Sequence, residues 1–574
     1  MTSLWKGKGD REALENHRGI TVSSTIGNIL EEIIDRRIQG NVKFTQAQRG
    51  GLKGASTCDH IFILQSMINI ALKQKRKTYI TFFDVQKAYD HVDNRDMLGV
   101  MWDAGLKGKV WRILKELCSG LTASIKTRHG TTREIQMEIG GKQGSKVTGR
   151  MFSKLMDILS EEIIERKMGF EMANQFIIGA LMWVDDVVSC VDGIDNQTEM
   201  LQIINNFAKN HKLQWGAHKC KVMAIGKHNK QNKWPLGDLE IENCNEYKYL
   251  GDIISNDGKN KQNINERKRK ATATTISINT LASNEILNCI ETPILLELHE
   301  RITIPTLLNN AEAWVLKAYE IKELEQIERN CIKSLFNLPT RTPTPAIIYT
   351  LGLLYTNIRI EKKQLIYLHR ILNRKEDHWT KKTLNTLKEL KTGWYNNMIK
   401  ILNSYELNSD FDAIKNIPTA IWKHTVTTAT ETMNKKRLLD DCYKKENGEK
   451  IPKSKTKSII DKLNAPDYTR KPINEIMSLP KYEGRTVILS RYGMLECGKN
   501  FKGTLRERCL ICDLPDDEEH RLNKCPKYDM TNFSHSNDIV PFESIFSGDT
   551  KILKTIVPHI NQVWNLKNGH GSML

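Results

Sequence analysis

Leu181-Met182-Trp183-Val184-Asp185-Asp186-Val187-Val188 sets two adjacent carboxylates between two short runs of β-forming apolar residues. That arrangement predicts a tight hairpin with a charged tip. Alone, a carboxylate pair at a turn does no more than keep it soluble. Well upstream, however, Tyr79-Ile80-Thr81-Phe82-Phe83-Asp84 is another apolar strand ending in an acid, and it continues as Val85-Gln86-Lys87-Ala88-Tyr89-Asp90. Two strands that each deliver an acid to one place can hold two divalent cations. Two metals roughly 4 Å apart stabilise both the attacking and the leaving oxygen of an in-line phosphoryl displacement. Mg²⁺ suits the task, because it takes hard oxygen ligands and keeps positions open for substrate phosphates. The pattern therefore points to nucleotidyl transfer.

The remaining chain is compatible with that chemistry. At 574 residues it is too long for one core, so two to four domains are expected. Lys plus Arg number 86 against 68 for Asp plus Glu, a net charge of +18. An excess of this size favours an anionic partner, and a polyphosphate backbone is the commonest one. The 12 cysteines lack the density and regular spacing of a secreted disulfide framework. Met1-Thr2-Ser3-Leu4-Trp5-Lys6-Gly7-Lys8 has no apolar core of signal-peptide length, and no apolar run is long enough to span a membrane. A reducing interior compartment and no membrane partner are expected.

Taken in order, Lys6-Gly7-Lys8-Gly9-Asp10 reads as a basic turn and not a P-loop. Asn16 to Val22 is a short strand, and Ser23 or Ser24 caps the helix that follows. Ile26, Ile29, Leu30, Ile33, Ile34 and Ile38 recur on one face of that helix and are expected in the core. Gln48 to Gly54 is a glycine-rich basic loop. Thr57 or Asp59 then opens an amphipathic helix with Ile61, Leu64, Ile68 and Leu72, ending in the cation run Lys73-Gln74-Lys75-Arg76-Lys77. After the strand to Asp84, a helix is expected over about 95–119 and a β-ribbon near 123–139. Gly140 to Ser145 is a turn into a long helix carrying Phe152, Leu155, Met156 and Leu159. A helix over 196–212, a strand over 219–225 and a strand pair from Glu246 to Ile254 complete an α+β palm with helices on one face. From 259 long helical patterns run to about 376. Residues 377–480 are polar, Lys-rich and weakly periodic, and Lys444 to Lys450 within them reads as a linker.

These pieces resemble a reverse transcriptase. Asp84-Val85-Gln86-Lys87-Ala88-Tyr89 resembles motif A, Gly141-Lys142-Gln143-Gly144 motif B, Trp183-Val184-Asp185-Asp186 motif C, and Glu246-Tyr247-Lys248-Tyr249-Leu250-Gly251 the primer grip. Arg18-Gly19-Ile20 and the loop at 48–57 are similar to the two fingers motifs. The order over residues 1 to about 340 is that of non-LTR retrotransposon enzymes. The resemblance implies a right-hand polymerase: fingers and palm over 1–255, helical thumb and connection over 256–376, a basic polar linker region over 377–480, and a C-terminal zinc-knuckle module over 481–574. It implies that Asp84, Asp185 and Asp186, with the Val85 carbonyl, hold two Mg²⁺, for which Mn²⁺ can substitute. Arg18, Tyr89, Gln143, Gly144 and Lys219 would bind the dNTP, with Tyr89 excluding a ribose 2′-hydroxyl and Lys219 as a candidate proton donor to pyrophosphate. Tyr249, Leu250 and Gly251 would grip the primer. The implied partners are an RNA template, a DNA primer or target and dNTPs, and the implied site of action is the nucleus.

Trp183 stands where Tyr or Phe is usual, motif B continues as Ser145-Lys146-Val147-Thr148-Gly149 instead of Cys-Pro-Leu-Ser-Pro, and Asn309-Asn310 stand where Tyr-Gly is frequent. The other reading these departures leave open is a catalytically inactive, element-derived nucleic-acid-binding protein. Near the C-terminus Cys509, Cys512, His520 and Cys525 are separated by two, seven and four residues. Three thiolates and an imidazole make a closed structural Zn²⁺ site. Arg506, Arg508, Arg521, Lys524 and Lys527 around it suit nucleic-acid contact with an unpaired strand. With polymerase motifs starting near Met1 and few residues after Cys525, no endonuclease domain is expected in the chain.

Overall fold

Thr78–Asp84 is the strand around which the N-terminal part of the chain is built, and every residue through Phe83 is buried. In the computed structural model it lies inside a six-stranded sheet. The order is Ala180–Trp183, Asp186–Asp192, Thr78–Asp84, Lys221–Ile225, Leu239–Asn243, Lys233–Leu236. Neighbours run antiparallel except Lys221–Ile225 beside Leu239–Asn243. The structure describes residues 1–492 except 8, 14–15, 128–129, 138, 173–175, 227–232, 284–290, 447–448, 454–455, 466–469, 471–473, 478 and 480. Beyond them it describes 508–509, 512–515, 520, 553–554, 557–558 and 560–561. The chain forms two units: Met1–Asn260 with Ala313–Val315 and Asn373–Asn397, and Lys261–Glu312 with Leu316–Leu372 and Met398–Leu574.

In the first unit both faces of the sheet are covered, not one as expected. Tyr79 and Phe83 share a core with Phe152, Leu155 and Leu159 of helix Lys146–Glu165 and with Leu201 and Ile204 of helix Ile194–Asn210. On the opposite face Phe82 stacks on Tyr247 with centroids 4.1 Å apart, and helix Thr57–Gln74 touches strand Lys221–Ile225. A strand buried on both sides has no reason to alternate polar with apolar residues, which explains the unbroken Tyr79–Phe83 run.

Several sequence expectations hold. Ser24 caps helix Thr25–Asn41, accepting the Gly27 N–H. The expected strand pair is the hairpin of Glu246–Tyr249 with Asp252–Ser255. Others need correction. Helix Thr57–Gln74 opens at Thr57 as expected, capped by Ser56, but it is buried nearly all round and not amphipathic. The single helix expected over 95–119 is two, Asn94–Asp103 and Gly108–Cys118, divided where Gly105 and Gly108 adopt positive φ. The 123–139 ribbon is two short pairings, Thr122–Ala123 with Ile135–Gln136 and Lys126–Thr127 with Gly130–Thr131. Of the isoleucine face of Thr25–Asn41, only Ile34 and Ile38 are core; Ile26, Ile29, Leu30 and Ile33 are 41–81% exposed. Periodicity marks a face as apolar without showing that anything covers it.

The second unit is mainly helical among its described residues. Helices Lys261–Ser283, Ala318–Leu335, Thr356–Leu372 and Thr419–Cys442 lead a core that includes Ile332, Leu335, Ile347, Ile358 and Leu438. Residues 377–480 are therefore not a linker. Asn373–Asn397 belong to the first unit, where Trp394 packs edge-on against Phe62 at 5.2 Å and Arg374 pairs with Asp59 at 2.8 Å. Tyr443–Glu446 and Glu449–Pro452 form a hairpin where a linker was expected. Nor does a separate module start at 481: Val487, Ile488 and Leu489 of helix Lys481–Arg491 join the second unit's core.

Candidate active site

The strand register fixes the acids. Asp186 lies directly opposite Asp84, and Trp183 pairs with Asp186, which leaves Val184 and Asp185 as the two turn residues. Val184 has φ 60° while Asp185 is not among the positive-φ residues. Positive φ at only the first central position is the pattern of a type II′ hairpin turn, a place usually given to glycine. Asp84 and Asp186 thus end adjacent strands, and Asp185 projects from the turn between them.

This cluster holds more negative charge than its surroundings neutralise. Burial pushes the Asp185 carboxyl up, and the neighbouring Asp84 charge adds to the effect, while its own backbone N–H, Arg18 and Lys219 oppose it. Burial also raises Asp186, with the charges of Asp185 and Asp84, to about 6, although its side chain retains a path to solvent. Lys219 Nζ donates to both Asp84 oxygens, at 3.1 and 2.8 Å. The three carboxylates do not gather their oxygens within 4.8 Å of one another; Lys219 takes the Asp84 carboxylate instead. Partly desolvated like charges built from hard oxygen donors are what a divalent cation relieves.

Asp84 and Asp185 face a cleft of about 780 Å³, which Asp186 does not line. It is lined by Asp84, Val85, Tyr89, Asp185, Arg18, Gln143 and Lys219, all singled out from sequence. Lys6, His17, Lys87 and His218 line it too and were passed over. Lys6 had a signal, since it belongs to the basic turn set aside for lacking a P-loop. Gln143 is held by its backbone, whose carbonyl accepts the Thr21 N–H at 2.9 Å. Gly144 does not line the cleft; at φ 114° it packs behind, where an added Cβ would come 3.3 Å from the Thr21 carbonyl. The Tyr89 ring stacks on Phe152 at 5.7 Å, and burial followed by the Asp185 charge raises its phenol.

The primer-grip residues divide. Leu250 and Gly251, both at positive φ, are the turn of their hairpin. Tyr249 points inward and is buried, its hydroxyl 3.1 Å from His60 Nδ1. His60 also meets the Trp183 ring edge-on at 5.7 Å, so the unusual tryptophan has a partner. Burial, aided by Arg49 and opposed by Asp59, lowers the His60 pKa to about 3 and keeps the imidazole neutral. No sequence signal marked His60. Gln48 was also missed, although it reaches the Val184-Asp185 turn.

Far along the chain, Cys509, Cys512 and His520 bring their ligand atoms within 4.8 Å of one another, with Cys512 Sγ 3.2 Å from His520 Nε2. The turn between the cysteines and Pro515 is closed by Cys509 N–H to the Leu514 carbonyl at 2.8 Å. Cys525, the expected fourth ligand, lies outside the described residues, as do Arg506, Arg521, Lys524 and Lys527. A thiolate and imidazole set of this kind can hold Zn²⁺.

Residues 6–254 match the family model described as reverse transcriptase (RNA-dependent DNA polymerase). The chain is 24% identical over 360 residues to a retrovirus-related Pol polyprotein from type-1 retrotransposable element R2 of Popillia japonica, covering 60% of this chain and 48% of that protein. It is 24% identical over 263 residues to the R2 counterpart of Nasonia vitripennis, covering 43% of this chain and 25% of that one. The chain thus spans about half, or less, of the curated relatives it matches. Among solved structures, apo telomerase from Candida tropicalis aligns with TM-score 0.33 and 11% identity, over 76% of this chain and 60% of that one. Residues 6–254, under half of the chain, are thus similar to the reverse transcriptase family, and the relatives that match over a longer stretch are Pol polyproteins of type-1 retrotransposable elements.

Proposed function

We propose that the chain is an RNA-directed DNA polymerase that extends a DNA 3′-hydroxyl on an RNA template with dNTPs, and that it serves target-primed reverse transcription in the nucleus. The observation that supports this best is the pairing of Asp84 with Asp186 around Asp185, at a cleft edged by Arg18, Lys87 and Lys219. Two divalent cations of the Mg²⁺ kind, held by Asp84, Asp185, Asp186 and the Val85 carbonyl, would supply charge stabilisation to the attacking and leaving oxygens. Arg18 and the cleft lysines would counter the triphosphate charge, Arg18 through paired N–H donors. Tyr89 would fill the space beside the sugar that a 2′-hydroxyl needs. Lys219 would protonate the leaving pyrophosphate, and the Leu250-Gly251 turn would hold the primer strand. One Zn²⁺ on Cys509, Cys512, His520 and Cys525 would be structural.

Primer extension on poly(rA)/oligo(dT) with Mg²⁺ or Mn²⁺ tests the reading. Extension by the native chain, abolished in Asp185→Ala/Asp186→Ala, is the expected result. No extension, with tight and steeply salt-dependent template binding retained, would overturn it in favour of a catalytically inactive nucleic-acid-binding protein.

A further inference from the structure

We infer that Gln48 is a positioning residue for the catalytic acids, and that it works by clamping the backbone of the Val184-Asp185 turn. The inference rests on the polymerase reading above. Gln48 is fully buried and does not line the cleft. Its side-chain amide serves one residue of the turn on both sides. Oε1 accepts the Val184 N–H at 3.0 Å, and Nε2 donates to the Val184 carbonyl at 3.3 Å. The second lone pair of Oε1 takes the Gly50 N–H at 2.9 Å, so the acceptor is fully used. The backbone on either side ties the same two segments together. Met182 N–H bonds to the Ala47 carbonyl at 2.9 Å, and Arg49 N–H to the Met182 carbonyl at 3.0 Å.

Val184 is where such a clamp is needed. It is β-branched and sits at φ 60°, a region such residues avoid unless their surroundings impose it. Asp185 is the next residue, so the rotation about Val184 sets where its carboxylate points. Gly50 completes the device, since a Cβ there would lie 2.3 Å from the Val184 nitrogen and 2.6 Å from Val184 Cγ2. The loop can approach this closely only with glycine at 50, and the turn keeps both its polar groups satisfied only with a neutral amide at 48. A carboxylate would accept in the same way but could not donate to the Val184 carbonyl, and it would add charge beside an already crowded set of acids.

The test uses the full chain and two variants that attack the clamp from different directions. Gln48→Met keeps the side-chain length and removes both hydrogen-bonding ends. Gly50→Ala leaves Gln48 intact and pushes on Val184. Each is expected to lower kcat for primer extension about 10–100-fold, the scale of a misplaced reacting group, with primer–template Kd and the dTTP KM within about twofold. Amide hydrogen exchange of the peptide covering 181–188 should quicken, while the remaining sheet peptides stay unchanged. Unchanged kcat and unchanged exchange in 181–188 would overturn the inference. So would faster exchange throughout the sheet, which would make Gln48 a general packing residue. If the native chain fails to extend primers at all, the polymerase reading falls by itself, and the exchange measurement still decides whether Gln48 holds the turn.

Discussion

Two hairpins of the first unit solve one backbone problem differently. Both close on two-residue turns, and both set a non-glycine residue at positive φ, Val184 at 60° and Leu250 at 43°. At Leu250-Gly251 the second residue is glycine at φ 93°, so positive φ at both positions gives a type I′ turn that its own sequence supports. At Val184-Asp185 there is no glycine: the first position, where this turn usually has one, is a valine, and the second carries the acid. That turn is instead held from outside, by Gln48. A turn that has to present chemistry gives up the residues that would make it stable, and the stabilising groups come from elsewhere in the fold.

The comparison breaks most sharply at Asp186. Asp186→Asn should lower extension by at least about 10²–10³-fold, since a metal-ligand carboxylate contributes several kcal/mol of transition-state stabilisation. The same change should not weaken the fold. The native carboxyl is raised from 3.8 to about 6, so the folded state binds more protons than the unfolded state between those values. Stability conferred by that group is complete below about 3.8 and is lost as pH rises through 6. Asparagine removes the loss, so melting near pH 7 should be unchanged or higher and the slope over that window flatter. An Asp186→Asn enzyme that still polymerises would reduce the catalytic hairpin to an ordinary one.

The two hairpins are joined by His60, which lies edge-on to Trp183 and is hydrogen-bonded to Tyr249. Its pKa falls from 6.5 to about 3 on burial, so below pH 6.5 the unfolded chain takes up a proton that the folded chain refuses. The stability that the neutral imidazole confers is present above 6.5 and drains as pH falls towards 3, at a limiting slope of about 1.4 kcal/mol per pH unit for one proton. Thermal melts between pH 7.5 and 4.5 should show this slope, and His60→Gln should remove about one proton's share of it. An unchanged slope would mean that the joint between the hairpins does not depend on a neutral His60.

How legible these features were depends on what buries each residue. The strand to Asp84 and the hairpin at Asp185-Asp186 were readable because unbroken β-forming apolar runs stop at acids. Gln48 was not, because a glutamine in a glycine-rich basic loop looks like a solvent-facing residue; it is buried by hydrogen bonds that no periodicity records. Helix Thr419–Cys442 was lost for a related reason. Its buried stripe, Trp422, Val426, Thr430, Asn434, Leu438 and Cys442, is one residue wide and one-third polar. Asn434 belongs inside because it donates to the Leu353 carbonyl at 3.1 Å and accepts the Tyr355 N–H at 3.0 Å. The apolar face of Thr25–Asn41 erred the other way, since Ile26, Ile29, Leu30 and Ile33 have solvent in front of them.

The smallest expected effect separates the two turns most cleanly. Gly251→Ala puts a side chain at φ 93°, which costs about 1–2 kcal/mol of stability. The turn does not line the cleft, so kcat should hold while melting drops and primer affinity weakens modestly. Val184→Gly should do the reverse. It relieves a β-branched residue in the left-handed region and concedes backbone entropy of about 0.5–1 kcal/mol, so melting should barely move. The extra freedom would fall on Asp185 alone, and kcat should decline. Melting curves and steady-state extension on the two single variants measure both quantities. If Gly251→Ala lowered kcat as much as Val184→Gly, turn geometry would matter equally in both hairpins, and the catalytic turn would not be the one that depends on an outside clamp.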